Sequence, residues 1–328
     1  MPKTNGLIVQ PDDGNAPVIG LINGATRSLY IKQFSFTDPA IQQAAIARAK
    51  DGVDVRVMLN PQRSSGSRAN DEAFALFEAS GVHIRWANPR FAVTHEKSIV
   101  VDEELALIAT FNLCDKYFTQ TRDYGVIVHE PIQVAQIVEG FHADWEQKAW
   151  YPAADTRLLW SNSNARQLMS DFIDSAKDTL DVQHPKFVDA TVTERIAAAA
   201  KRGVHVRVLC GGKHGISDWD ILDTFSSLRL LQYLDVKVHK QKNLRLHAKL
   251  ILVDGKHALV GSMNIDRSAF DLRRELGVIV ADRQIVDGLS RVFQSDWLLS
   301  GKYEPPLPLS AFHHLEDDFP HDPELGHE

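Results

Sequence analysis

The sequence predicts an α/β fold written twice. It describes two tandem, duplicated α/β-sandwich domains with mixed central sheets flanked by helices, related by a pseudo-two-fold axis and sharing one active site at their interface. Three observations lead there. Ser28 to Phe36 (SLYIKQFSF) returns as Thr179 to Phe187 (TLDVQHPKF), and Asp51 to Leu59 (DGVDVRVML) as Arg202 to Cys210 (RGVHVRVLC), both at an offset of 151. His95 returns as His247, and Phe141 to Trp145 (FHADW) as Phe293 to Trp297 (FQSDW), at an offset of 152. Between these landmarks, helix-period and strand-period stretches alternate in the same order in both halves.

Each half begins with a helix (Ala16 to Ala25; Ala165 to Ala176) that leads into the first repeated strand. An amphipathic helix follows (Pro39 to Lys50; Ala190 to Arg202), then the strand VDVRVML or VHVRVLC. A third helix (Asn70 to Ala79; Trp219 to Leu230) leads to a strand ending near Trp86 or Val238. A hairpin comes next, and a helix carrying FxxDW closes the unit. The FxxDW residues read as helix-packing anchors rather than chemistry. The pattern breaks at Trp150 to Thr156 (WYPAADT), which sets the expected domains at residues 1–152 and 153–303. Residues 304–328 read as an acidic, low-complexity C-terminal tail.

Composition narrows the class. The chain has 328 residues, 44% apolar and 24% charged, ordinary for a globular protein with substantial cores. No run approaches the ~18 apolar residues of a membrane span, and the start lacks the pattern of a secretory signal, so a soluble chain is expected. Cys114 and Cys210 have neither metal-ligand nor disulfide-framework spacing and read as buried free thiols. Net charge is −7, yet the segment from Ala311 onward carries six acids and no Lys or Arg, leaving the body near −1. A near-neutral body argues against a broad basic face for long nucleic acid.

The chemistry lies in two hairpins, HEKSIVVDEELALIATFN (95 to 112) and HAKLILVDGKHALVGSMN (247 to 264). In a strand, His95 and Lys97 share a face, as do His247 and Lys249, while Asp102 and Asp254 point the other way. Those two aspartates read as turn residues bonded to backbone. Folding each chain back about the turn brings Asn112 opposite His95 and Asn264 opposite His247. Lysine and asparagine amides are donors suited to phosphate oxygens, and histidine can be nucleophile or proton donor. With the ends facing, one imidazole attacks phosphorus, the other protonates the leaving oxygen, and two lysines supply the charge stabilisation for which no metal or cofactor is called. Asp123 and Glu275, each eleven residues after its asparagine, are the candidates to orient the two imidazoles. Arg122, Arg273 and Arg274 read either as phosphate contacts or as solvated side chains. His184, aligned with Gln33, reads either as a cleft residue or as a structural polar one.

These residues resemble the HKD signature of the phospholipase D superfamily, H-x-K-x4-D-x6-G-[S/T]-x-N. His247, Lys249, Asp254, Gly261, Ser262 and Asn264 match it fully. His95, Lys97, Asp102, Thr110 and Asn112 match the first copy, with Ala109 in place of the glycine. The layout is most similar to the bacterial phospholipase D and cardiolipin synthase-like branch. That resemblance implies a metal-independent phosphodiesterase or phosphatidyltransferase working through a covalent phosphohistidine, with His95 as nucleophile and His247 as acid and then base. Thr110 and Ser262, within the matched motifs, are read as substrate contacts.

The expected substrate is a phospholipid, approached past Phe91 on a rim loop, with peripheral membrane contact; a nuclease acting on single strands is the alternative. One chain carries both half-sites, so a monomer suffices. The expected location is the cytoplasm or membrane periphery of a bacterium, with secretion left open.

Overall fold

The computed structural model describes residues 6–62, 66–213 and 216–307. The acidic tail expected from the sequence falls, from 308 onward, outside the described residues.

The first half runs β1 (Leu7–Gln10), α1 (Ala16–Asn23), β2 (Ser28–Gln33), α2 (Pro39–Lys50), β3 (Asp54–Leu59), α3 (Asp71–Ala79), β4 (His83–Trp86), β5 (Ser98–Val101), β6 (Leu105–Ala109), α4 (Asp115–Thr119), β7 (Thr121–Val128) and α5 (Pro131–Trp145). The second repeats this order with two added short strands: β8 (Leu158–Trp160), α6 (Ala165–Asp174), β9 (Thr179–Gln183), α7 (Ala190–Lys201), β10 (His205–Cys210), α8 (Asp218–Tyr233), β11 (Lys237–Lys240), β12 (Arg245–Leu246), β13 (Leu250–Val253), β14 (His257–Gly261), α9 (Arg267–Asp271), β15 (Leu276–Val280), α10 (Arg283–Leu299) and β16 (Gly301–Lys302), the additions being β12 and β16.

The helix starts follow from local chemistry. Asp38 accepts from the Ile41 N–H ahead of Pro39, and Asp189 caps α7 through the Val192 N–H in the same way. A carboxylate at this position satisfies a donor that the helix itself leaves open. The central strands are apolar without alternation because both faces are covered: β5 and β13 are buried at every residue.

Both sheets are mixed. The first is ordered β1-β7-β6-β5-β2-β3-β4 and the second β16-β11-β10-β9-β13-β14-β15-β8. The β2–β3–β4 and β9–β10–β11 runs are parallel, as their helical crossovers require, and the hairpin strands are antiparallel. Each half keeps its own outer core, built around Ile31, Phe36 and Phe77 in one and Val182, Phe187 and Ile196 in the other. A third core is shared: Tyr30, Ile108, Val126, Ile137 and Phe141 of the first half pack with Leu209, Leu250, Val260, Leu289 and Phe293 of the second. Packing α5 and α10 into this seam fixes the two halves against each other.

Candidate active site

Each hairpin turn is anchored by its aspartate. Asp102 and Asp254 have φ of 54° and 53°, and each carboxylate caps the start of the neighbouring strand. Asp102 accepts from the N–H groups of Thr26, Arg27 and Ser28, Asp254 from those of Lys177, Asp178 and Thr179. Burial works to raise these carboxyls, and the backbone donors outweigh it and hold both below the usual range.

The histidines do not sit where a simple hairpin puts them. Ser98 pairs with Ile108 and Leu250 with Val260, so β5 and β13 begin one residue after each motif lysine. Continued outward, that register sets Phe111 and Met263, not the asparagines, opposite His95 and His247. The physical reason is that each His-x-Lys segment leaves its hairpin and crosses to the other half. Arg245 and Leu246 pair in parallel with Thr121 and Arg122 of β7, and the N–H groups of His247 and Ala248 donate to the Arg122 carbonyl. In mirror fashion, Thr94 bridges to Arg274, and the N–H groups of His95 and Glu96 donate to the Arg274 carbonyl.

This crossing decides which acid meets which imidazole. His247 Nδ1 lies 2.6 Å from Asp123 Oδ1, and His95 Nδ1 lies 3.0 Å from both carboxylate oxygens of Glu275. Each half supplies the acid for the other half's histidine. Neither half holds an oriented imidazole alone.

The lysines complete the cluster. Lys249 Nζ is 2.8 Å from His247 Nε2, and Lys97 Nζ donates to the His95 carbonyl at 2.8 Å. His95, Asn112, Asp123 and Glu275 are 0% exposed, whereas His247 and Asn264 retain 6% and 3%. Among the described residues, Asn264 Oδ1 has no hydrogen-bond partner. Tyr117 packs on the His247 ring and Phe34 on that of His95, each with ring centroids 4.9 Å apart.

Burial dominates the electrostatics of the cluster. Burial, then the charges of Lys97 and Arg273, hold His95 well below its ordinary value. Burial lowers His247 to about 4 against the opposing pull of Asp123. Burial and the Lys97 charge also depress Lys249 well below the usual lysine range. The two acids differ. Burial pushes Glu275 up to about 7, while for Asp123 burial is outweighed by His247 and Lys249, which hold it low.

The structure gives the remaining candidate residues the following places. Thr110 and Ser262 serve the acids: Thr110 Oγ1 donates to Asp123 at 2.5 Å, and Ser262 Oγ accepts from the Leu276 N–H beside Glu275. Arg122 is neither solvated nor available to a phosphate. It is 5% exposed, with Nε and Nη2 on Asp296 at 2.8 and 3.1 Å and Nη1 on the Gln10 carbonyl and Asp12. Arg274 is buried in the same way against Asp144, at 2.8 and 3.1 Å. Arg273 is 9% exposed, close enough to influence both His95 and Glu275, and its Nη1 lacks a partner among the described residues. Phe91 lies half-buried over the Arg274 guanidinium, 4.8 Å away, on a loop whose Ala92 N–H donates to the Leu272 carbonyl. His184 is wholly buried beside Lys249.

Sequence reasoning missed the layer behind the acids. Asp144 and Asp296, the aspartates of FxxDW, each bind the arginine that precedes the other half's acid, and Asp144 also takes Lys32 Nζ at 2.7 Å. Their exact repetition at 152 residues was the available signal. Ser161 likewise fixes Glu275 by accepting its N–H at 2.7 Å.

Two facing half-sites of this kind have counterparts in known proteins. A family model described as the phospholipase D-like domain of cardiolipin synthase matches residues 18–145 and again 169–297. The chain belongs to this phospholipase D-like family. Among curated relatives, the cardiolipin synthase of Staphylococcus aureus is 26% identical over 301 residues, covering 78% of this chain and 58% of the relative. That of Clostridium perfringens is 24% identical over 321 residues, covering 84% and 66%. The chain thus spans roughly three-fifths of the length of the curated relatives it matches. Of solved structures, the phosphatidylserine synthase of Haemophilus influenzae superposes with a TM-score of 0.70 at 15% identity, covering 92% of this chain and 88% of that one. The polyphosphate kinase of Porphyromonas gingivalis gives 0.70 at 16%, covering 92% and 50%. These two likenesses concern the fold alone.

Proposed function

We propose that this phospholipase D-like chain is a phosphodiesterase that hydrolyses or transfers phospholipid head groups through a covalent phosphohistidine, with no metal required. The observation that carries the reading is the crossed pairing of His95 with Glu275 and His247 with Asp123 around two lysines. The cardiolipin synthase relatives favour the phospholipid over a nucleic acid.

His95 is assigned as nucleophile. Its imidazole is held neutral, Glu275 fixes Nδ1, and Nε2 attacks phosphorus as the bond to the head-group oxygen breaks. His247 is assigned as acid and then base. Burial is the main cause of the low His247 value and the charges of Lys249 and Lys97 add to it; a bound phosphate diester brings negative charge that offsets those lysines, and the low Asp123 carboxylate stabilises the imidazolium. His247 Nε2–H then protonates the departing alkoxide. In the second step the same nitrogen takes a proton from water or an alcohol, whose oxygen attacks phosphorus and frees His95. The 6% exposure of His247, against 0% for His95, suits the histidine that must exchange protons with solvent. Lys97, Lys249, Asn112 and Asn264 are the donors for the non-bridging oxygens.

An exposed apolar side chain supports a lipid: Leu272 is 56% exposed, and its carbonyl takes the Ala92 N–H of the loop that carries Phe91. Among the described residues no helix is long and apolar enough to cross a membrane, so we infer peripheral contact through this rim. A monomer contains the complete proposed site, and the domain boundary near residue 152 is proposed on the break in the repeat.

The test is turnover of phosphatidylglycerol micelles in EDTA, with single-stranded oligonucleotides in parallel. Head-group release that persists in EDTA and vanishes in His95→Ala is the expected result. Cleavage of the oligonucleotide alone overturns the lipid reading, and a strict need for a divalent ion overturns the mechanism.

A further inference from the structure

The two half-sites match at His, Lys, Asn and acid, yet a phosphodiester has two different ends. A site that handles them differently needs an asymmetry close to phosphorus. The antiparallel register supplies a place to look. Leu250 pairs with Gln183, so one step outward Lys249 stands across from His184; Ser98 pairs with Lys32, so Lys97 stands across from Gln33. The residue flanking each motif lysine is therefore glutamine in the first half and histidine in the second.

Both are sealed and incompletely bonded. His184 is 0% and Gln33 1% exposed. Among the described residues neither ring nitrogen of His184 has a hydrogen-bond partner, nor does Gln33 Oε1. Buried polar atoms without partners are uncommon and costly, and beside a cluster of catalytic-type groups they point to a ligand. Burial, followed by the charge of Lys249, keeps His184 neutral. A neutral imidazole offers one donor and one acceptor, which is what a hydroxyl requires and what an anionic oxygen does not. Lys186, two residues on, is held away by Asp220 at 2.8 Å and Asp266 at 3.6 Å, so the second cation of this strand end is already neutralised.

We propose that His184 is a substrate-recognition residue that hydrogen-bonds a hydroxyl of the head group on the His247 side of the phosphate, giving the pseudo-symmetric site its direction. This rests on the reading of the cluster as a phosphodiester site. A hydroxyl placed there lies on the side where the leaving oxygen is protonated and where the acceptor alcohol enters. Gln33, its counterpart, flanks the lysine on the nucleophile side.

The test uses binding rather than turnover, so that it stands apart from the lipid activity. Glycerol phosphate and inorganic phosphate are titrated calorimetrically into wild type, His184→Ala and His184→Gln. Wild type is expected to prefer glycerol phosphate by about tenfold, the size of one hydrogen bond to a buried neutral partner. In His184→Ala that preference disappears while inorganic phosphate binds as before. His184→Gln, which copies Gln33 and conserves a donor and an acceptor, retains part of the preference and carries the test if the alanine variant does not fold. Equal weakening of both ligands marks a structural histidine and overturns the proposal, as does an unchanged preference. Absence of lipid turnover in the wild type sinks the proposed function and leaves this readout intact.

Discussion

Replacing Asp123 by asparagine separates the crossed site from any arrangement in which each half serves itself. The carboxylate is fully buried, lies 2.6 Å from His247 Nδ1, and accepts from Thr110 and Thr121 at 2.5 Å each. Asparagine keeps the shape and removes the charge. A charge-assisted hydrogen bond in a buried site contributes about 3 kcal/mol, and that loss slows proton transfer by about 10²-fold. An amide NH2 turned toward Nδ1 also pins the wrong tautomer, which extends the expected loss toward ~10⁴-fold. The assay compares phosphatidylglycerol with a p-nitrophenyl phosphodiester, whose leaving group departs without a proton. The first should lose the full factor; the initial p-nitrophenolate burst should fall less than about tenfold, with the loss confined to the second step. NMR of labelled histidine provides the structural readout: His247 shifts and His95 stays. A rate within about fivefold of wild type, or a shift at His95 in place of His247, refutes the crossed assignment.

Three further outcomes follow from the same geometry. Asp296→Asn strips the main partner from the 5% exposed Arg122, and urea unfolding should show a loss of about 3 kcal/mol, the lower end for a broken buried pair because Gln10 and Asp12 remain; a change below about 1 kcal/mol contradicts the clasp. Gly261→Ala places a methyl 2.5 Å from the Gly277 Cα and 2.7 Å from the Leu276 carbonyl, so β14 and β15 must part, with about 2 kcal/mol lost and Ser262 displaced from Glu275; wild-type stability shows the strands to be more compliant. In pH-dependent unfolding, His247 is lowered in the fold to about 4, so the unfolded chain binds more protons below about 6.5; its contribution is present above that pH and lost as pH falls toward 4. His247→Asn should flatten that part of the profile, and an unaltered slope contradicts a neutral buried imidazole.

The sequence displayed the duplication because short matched strings survive at a constant offset, and it displayed the helices because caps and prolines are local. Pro39–Lys50 is found as read, and the other expected helices agree to within three residues at their ends. The four-residue β1 and three-residue β8 were invisible, being too short to show a period and defined only by pairing with β7 and β15. The site's membership was legible because His, Lys, Asn and acid recur together. Its connectivity was not, since nothing local in HEKS or HAKL shows that Arg122 and Arg274 of the opposite half will take the backbone N–H groups. The same blindness left Arg122 open between a phosphate contact and a solvated side chain, and hid the acid that Thr110 meets: an ion pair across 174 residues and a hydroxyl turned to an acid are tertiary facts.

The central claim is that His95 and His247 form one site with separate duties, and a trapped intermediate tests it most directly. A p-nitrophenyl phosphodiester is mixed with each alanine variant and quenched in alkali, where phosphohistidine survives, and the labelled residue is located by mass spectrometry. His247→Ala is expected to accumulate about one phosphoryl group per chain on His95, since the first step needs no acid and the second lacks its base, while His95→Ala carries none. Label on His247, or on neither histidine while turnover continues, would contradict the account.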